Sequence, residues 1–153
     1  NLAYWRGDDW WGIGPGAPAT AERTESGLVS VGGDTDDDTN PFEVRLGKYV
    51  DLDVPDDVIG VSALRRITAE GIKRHQLGLI LDGQTPSPLG FRREDIHHNG
   101  QKVGMMTNCV WSPRLAANIG YALISAAIPA GQEVQVMRDH GPARAKLVEL
   151  PFL

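Results

Sequence analysis

The dipeptide Asn99-Gly100 predicts a tight turn between two strands in the second half of the chain. Both residues tolerate positive φ, and a two-residue turn of this kind joins neighbouring antiparallel strands. Apolar and polar residues alternate in the segments at 133–139 and 143–152, and Gly/Pro turns separate these segments. With a further strand-like segment at 75–83, the pattern predicts a small barrel or sandwich in the second half of the chain.

The first half of the chain has a different pattern, in which short helical segments alternate with turns. Residues 18–28 predict a short helix, because Pro18 suits a first turn and good helix formers follow it. Residues 32–41 have the composition of a loop. A second helix is predicted to begin at Pro41, which again suits the first helical position.

The turn-rich residues 51–57 predict a boundary between two units, and the helical pattern of 61–71 follows them. Gly71 is the expected stop of this helix. Its apolar side is formed by Ala63, Leu64 and Ile67. The apolar run at 118–128 fits either a helix or a strand, because its periodicity does not separate the two.

Composition excludes several classes of function. The net charge is −5 and no basic cluster occurs, which argues against a nucleic-acid surface. No apolar run is long enough to span a bilayer. The one cysteine, Cys109, rules out an intrachain disulfide or a thiolate cluster, and it favours a reducing, cytoplasmic setting. The start has neither a signal-peptide pattern nor an initiator Met, so we expect a fragment.

Most clusters of polar residues are best explained structurally. The aspartates at 34, 36, 37 and 38 lack the Gly and Glu positions of a calcium loop, which favours a solvated loop. His97 and His98 are adjacent in a predicted strand and point to opposite faces, which favours exposed residues beside the turn. Cys109 has no sequence-local histidine and suits a buried structural thiol. The glycine-rich segment 12–16 lacks the Lys-Ser/Thr of a phosphate loop, so we interpret it as a turn.

Glu25 is the strongest candidate for a ligand-binding residue, because it lies on a predicted short helix with apolar neighbours. A carboxylate near apolar surface is costly unless it accepts hydrogen bonds. Arg23 or a backbone amide would supply a structural partner. Alternatively, the paired N–H and NH₂ groups of an aminopyrimidine ring would match its two oxygens. The sequence alone leaves both interpretations open.

An ordered series of motifs resembles the second half of the glycine cleavage T-protein family, which comprises folate-dependent aminomethyltransferases and related demethylases. The series is R-x-E-x-G-L at 23–28, N-P-x-E at 40–43, I-G-x-x-A-L at 59–64, G-x-x-x-G-x-x-T-x-x-x-x-S-P at 100–113, and P-F at 151–152. The sequence of residues 35–53 resembles the dimethylsulfoniopropionate demethylase-like branch more than the glycine cleavage enzyme itself.

This resemblance implies an α+β chain: the tail of a folate-binding α+β domain at 1–55, then a small antiparallel β-barrel at 56–153. It implies tetrahydrofolate as cofactor, a small amine or sulfonium donor, and a pterin contact for Glu25. It assigns no catalytic residue and no metal to this chain. Arg74 and Arg114 are candidates for contact with an anionic ligand by charge alone, although solvated surface arginines are the simpler interpretation.

Two departures from the resemblance qualify these expectations. Val31 stands where the family often carries Tyr, and the family's key aspartate lies in an N-terminal half that this sequence lacks. The first seventeen residues also look like a radical-SAM coproporphyrinogen oxidase-like segment, but that chemistry needs three cysteines. The alternative function is a non-catalytic interaction domain, or a subunit needing the missing N-terminal half. In that case Trp5, Trp10 and Trp11 would contact the partner.

Overall fold

The computed structural model describes residues 16–83 and 93–152, with side chains from residue 20 onward. Its elements are α1 (Gly16–Glu25), α2 (Val61–Glu70), β1 (Arg74–Leu81), β2 (Glu94–His98), β3 (Gln101–Ser112), β4 (Ala117–Ser125), β5 (Glu133–Arg138) and β6 (Gly141–Val148), with a short 3₁₀ helix at Gly47–Tyr49. The predictions for residues 1–15, including the tryptophans and most of the glycine-rich segment, lie outside the described residues.

The six strands form one closed antiparallel barrel in the order β1-β4-β3-β2-β5-β6. This confirms the predicted barrel and decides against the sandwich. Alternate residues of β1 (Leu77, Leu79, Leu81) and of β5 (Val134, Val136) are buried in the same core cluster. The period of two that the sequence displays is therefore the inside–outside alternation of the barrel wall.

The β2–β3 hairpin is confirmed at the predicted turn. Asn99 and Gly100 have φ of 51° and 79°, which is the left-handed conformation that this turn requires at both positions. The register of the hairpin shifts between Ile96 and His97, where a bulge interrupts the pairing.

The undecided run at 118–128 is strand β4. Seven consecutive residues of this strand, 118–124, are buried. One face points into the barrel and the other lies beneath α1, since Ile119 packs with Ala21 and Val110. Burial on both faces removes the polar residues that would have revealed a period of two, which explains the ambiguity in the sequence.

The first predicted helix is confirmed as α1, although it begins and ends earlier than 18–28. Gly27 has φ of 78°, and the amides of Gly27 and Leu28 donate to the carbonyls of Thr24 and Arg23. This pair of bonds is a Schellman motif, which ends the helix and satisfies its last carbonyls.

The helix predicted from Pro41 is wrong: residues 41–45 form turns, and only the short Gly47–Tyr49 segment is helical. Asn40 Oδ1 does accept the amides of Phe42 and Glu43, as a helix cap would. However, Arg45 has φ of 64°, which stops the helix. In addition, the Glu43 carbonyl accepts the Gln76 amide at 2.7 Å, which ties the loop to β1.

The helix predicted at 61–71 is confirmed as α2, and Gly71 follows its last residue with φ of 87°. Val61 is buried, whereas Ala63, Leu64 and Ile67 are half-buried. In the described part of the chain, no helix combines the length and apolarity needed to cross a membrane. The division of the chain at residues 55 and 56 stays a prediction.

Candidate functional site

Glu25 is the last residue of α1, and it is buried where the helix lies against the barrel. Only 3% of its surface is exposed. Ala21, one turn earlier on α1, packs with Val110 of β3 and Ile119 of β4. The helix therefore places the Glu25 carboxylate against the outer wall of the barrel. A carboxylate buried there is costly unless hydrogen-bond donors surround it.

The partners of the Glu25 carboxylate come from the turn that follows β3. Ser112 Oγ donates a hydrogen bond to Glu25 Oε1 and accepts one from the Leu115 amide at 3.0 Å. Arg114 Nη1 lies 4.0 Å from Glu25 Oε2, and its side chain is 68% exposed. The carboxylate thus has one firm partner and one loose cationic neighbour. The suggested partner Arg23 is not the one the structure uses.

The backbone around Glu25 is also fixed by the barrel. The Phe152 amide donates to the Glu25 carbonyl at 2.9 Å. The Tyr121 hydroxyl lies 3.2, 3.0 and 3.1 Å from the carbonyls of Arg23, Thr24 and Leu28. Burial, with the nearby Asp34 charge adding to it, raises the pKa of Tyr121 well above its ordinary value of 10.0. Tyr121 is consequently a neutral donor to the end of α1.

Asp34 corrects the prediction of a wholly solvated acidic loop. Its carboxylate is buried and accepts hydrogen bonds from Thr107 (2.8 Å), Asn108 (2.9 Å) and the Ser30 amide (2.8 Å). Burial raises the pKa of Asp34, although these hydrogen bonds act in the opposite direction. The three aspartates at 36–38 are exposed, as predicted. In residues 16–83 and 93–152, no group of three or more His, Cys, Asp or Glu could hold a metal ion.

Arg74 has a structural partner. Its Nε and Nη2 atoms lie 2.8 and 2.9 Å from the two carboxylate oxygens of Glu43, and Nη2 also donates to the Asp38 carbonyl. Glu43 is only 5% exposed at its side chain. This bidentate pair joins the 38–43 loop to the start of β1, so the contacts of Arg74 are structural.

The remaining polar candidates lie apart from Glu25. Cys109 is buried in the barrel core, which confirms the structural prediction for its thiol. His97 and His98 are half-buried rather than exposed, and His98 Nδ1 lies 3.0 Å from the Glu133 carbonyl. Both histidines line an open groove of about 670 Å³. This groove and Ser112 lie at opposite ends of β3, so the groove and Glu25 do not form one site.

Sequence reasoning singled out Glu25 but missed the residues that hold the end of α1 and those that hold Asp34. Ser112, Tyr121, Thr107 and Asn108 are buried polar residues on apolar strands. The available signal was their position in the motif series: Thr107 and Ser112 are both fixed letters of the segment at 100–113, and Phe152 ends the series. Motifs that are far apart in the sequence therefore meet at the end of α1 and in the loop that follows it.

Comparisons with known proteins agree with this architecture. The glycine cleavage T-protein C-terminal barrel domain matches residues 74–153, just over half of the chain. An aminomethyltransferase of Synechococcus sp. (strain CC9902) is 39% identical over 133 residues, which are 85% of this chain and 35% of that relative. An aminomethyltransferase of Herpetosiphon aurantiacus is 36% identical over 131 residues, or 85% and 36% of the two chains.

The fold has a solved counterpart. The structure of the glycine cleavage system aminomethyltransferase T from Bartonella henselae matches with a TM-score of 0.72 and 23% identity, over 87% of this chain and 37% of that one. The chain spans about a third of the length of the curated relatives it matches. The chain therefore belongs to the glycine cleavage T-protein family, and residues 74–153 are its C-terminal barrel domain.

Proposed function

We propose that this chain is the C-terminal part of a tetrahydrofolate-dependent aminomethyltransferase, in which Glu25 accepts hydrogen bonds from the N–H edge of the pterin ring. The single observation that carries the proposal is a buried carboxylate with one oxygen fixed by Ser112 and the other beside a mostly exposed Arg114, 4.0 Å away. The named relatives are aminomethyltransferases, which supports this class of reaction.

The chemistry of Glu25 fits a pterin ring. An ionised carboxylate is an acceptor only, with about four lone-pair directions. Ser112 uses one of them, so acceptor capacity remains for a neighbouring pair of N–H donors. The Arg114 contact is longer than a hydrogen bond, and an exposed arginine moves aside at little cost.

Tetrahydrofolate, when bound, takes up the one-carbon unit on a ring nitrogen. In the proposal, this chain contributes orientation: Glu25 fixes the plane of the pterin, and correct alignment of the reacting atoms supplies much of the rate in transfers of this kind. The barrel is proposed to cover one side of the ligand and to exclude water there. The donor of the one-carbon unit is proposed to be a small amine or a sulfonium compound. The second option rests on the resemblance of residues 35–53 to the demethylase-like branch. A cytoplasmic setting belongs to the same proposal.

A second candidate is a non-catalytic interaction domain or a subunit that needs a separate N-terminal half. Exposed apolar side chains on the segment before the barrel favour it: Val31 is 92% exposed, Tyr49 74% and Ile59 101%. Isolated exposed apolar residues are common, whereas several on one segment suit a partner surface.

Calorimetric titration of tetrahydrofolate into this chain tests the first proposal. We expect saturable binding by the wild type and a loss of at least tenfold in affinity for Glu25→Gln, which keeps the shape of the side chain and removes its charge. Glu22→Gln is the matched control, because Glu22 is exposed on the same helix. Equal affinities for wild type and Glu25→Gln would contradict a pterin contact for Glu25. An absence of binding by all three would favour the second candidate, an interaction domain or a subunit that needs a separate N-terminal half.

A further inference from the structure

Ser112 is a fully buried residue with a directed hydroxyl proton. It is 0% exposed and ends strand β3. Its Oγ accepts the Leu115 amide at 3.0 Å and donates to Glu25 Oε1. A serine hydroxyl carries one proton. Because the Leu115 amide approaches a lone pair of Oγ, the proton is left to point at the carboxylate.

The backbone of Glu25 is held independently of its side chain. The Phe152 amide binds the Glu25 carbonyl, and the Tyr121 hydroxyl binds the carbonyls around the end of α1. Beyond this fixed backbone, a glutamate side chain still has three torsions. Ser112 is the hydrogen-bond donor to the Glu25 carboxylate within the described residues, and Arg114, at 4.0 Å, is too far away to set its orientation.

We propose that Ser112 is a positioning residue that fixes the plane of the Glu25 carboxylate, so that its remaining lone pairs face the ligand. This inference rests on the proposed function and gives the barrel a role beyond covering the site. The Leu115 amide, the Ser112 hydroxyl and the Glu25 carboxylate form one directed chain from the turn after β3 to the end of α1. Folding of the barrel thereby sets the geometry of a residue outside its strands.

The test is a double-mutant cycle on tetrahydrofolate affinity, measured by calorimetry. We expect Ser112→Ala to weaken binding about tenfold in the wild-type background, which is the scale of one hydrogen bond to a charged group. In the Glu25→Gln background, the same substitution should change affinity less than twofold. A purely structural role for Ser112 would weaken binding equally in both backgrounds and would overturn the proposal. Ser62→Ala, an exposed serine on α2, is the control.

A measurement without ligand separates this inference from the proposed function. Three-bond couplings report the side-chain torsions of Glu25 by NMR. We expect one rotamer in the wild type and averaged couplings in Ser112→Ala. If tetrahydrofolate does not bind to the wild type, the folate proposal fails, while unchanged couplings in Ser112→Ala overturn the positioning role separately. Ser112→Cys, which leaves no cavity and offers only a weak donor, repeats the measurement if the alanine variant does not fold.

Discussion

The amide of Phe152 donates to the carbonyl of Glu25 at 2.9 Å, across 127 residues of sequence. The end of the described chain thus closes over the end of α1, and the barrel and the helix stabilise one another at that point. Tyr121 adds a second link to the same turn. The position of Glu25 is consequently a property of the folded barrel, and substitutions in the barrel should affect α1.

Substitution of Tyr121 by Phe tests the link between β4 and α1. The change removes a buried hydroxyl that serves the carbonyls of Arg23, Thr24 and Leu28. We expect the free energy of unfolding to fall by about 1–3 kcal/mol, because the buried Thr24 carbonyl, which lies nearest to the hydroxyl, loses its donor. Urea denaturation measures it. Tyr49→Phe, at a residue that is 74% exposed, should change stability by less than about 0.5 kcal/mol. Equal effects would contradict the link.

Removal of Arg74 tests the attachment of the 38–43 loop. Arg74→Ala leaves the Glu43 carboxylate, 5% exposed, without its cationic partner. Arg74 is about a third exposed, so the loss is smaller than for a fully buried pair, and we expect about 1–3 kcal/mol by urea denaturation. Arg66→Ala, exposed on α2, is the control. A change no greater than that of the control would show that the pair is not needed for folding.

The sequence predicted local features well and missed those that depend on distant partners. Asn99 and Gly100 form their turn because both residues tolerate positive φ, and Gly71 ends its helix because it also adopts positive φ. The helix expected at Pro41 fails because Arg45 has positive φ and the Glu43 carbonyl binds the amide of Gln76 on a distant strand. The site divides in the same way: Glu25 was visible as a carboxylate among apolar neighbours, but its donor Ser112 lies 87 residues further on.

The burial of Asp34 predicts a pH dependence. Because burial raises the pKa of Asp34 above the ordinary 3.8, the folded state binds more protons than the unfolded state just above pH 3.8. The contribution of Asp34 is therefore greatest below pH 3.8 and is lost as the pH rises through the raised pKa. We expect the free energy of unfolding of the wild type, minus that of Asp34→Asn, to decrease as the pH rises through this window. Denaturant unfolding measured at several pH values provides the test.

A flat difference over that range would contradict a raised pKa for Asp34. Asp37→Asn removes the same charge from an exposed position of the same loop and serves as the control. An identical slope for the two variants would mean that the pH dependence comes from the loop's overall charge and not from the contacts of Asp34 with Thr107 and Asn108.

Substitution of Gly104 by Ala tests the close approach of β3 and β4. A Cβ atom at this position would overlap the Leu123 carbonyl and lie 2.7 Å from the Ile124 Cα. Both obstacles are backbone atoms, so Gly104→Ala should cost about 2–4 kcal/mol or prevent folding. Gly32→Ala meets open space but has φ of 84°, and it should cost only about 1–2 kcal/mol. Thermal unfolding of the two variants compares them. The reverse order would contradict the described pairing of β3 and β4.

The proposed contact between Glu25 and the pterin ring is tested directly by the carboxyl ¹³C resonance of Glu25 during a titration with tetrahydrofolate. Glu22 and Glu43 provide internal references, the first exposed on α1 and the second bound to Arg74. We expect a saturable shift of the Glu25 resonance with little change at the two references. Binding of tetrahydrofolate that leaves the Glu25 resonance unmoved would contradict the proposed contact.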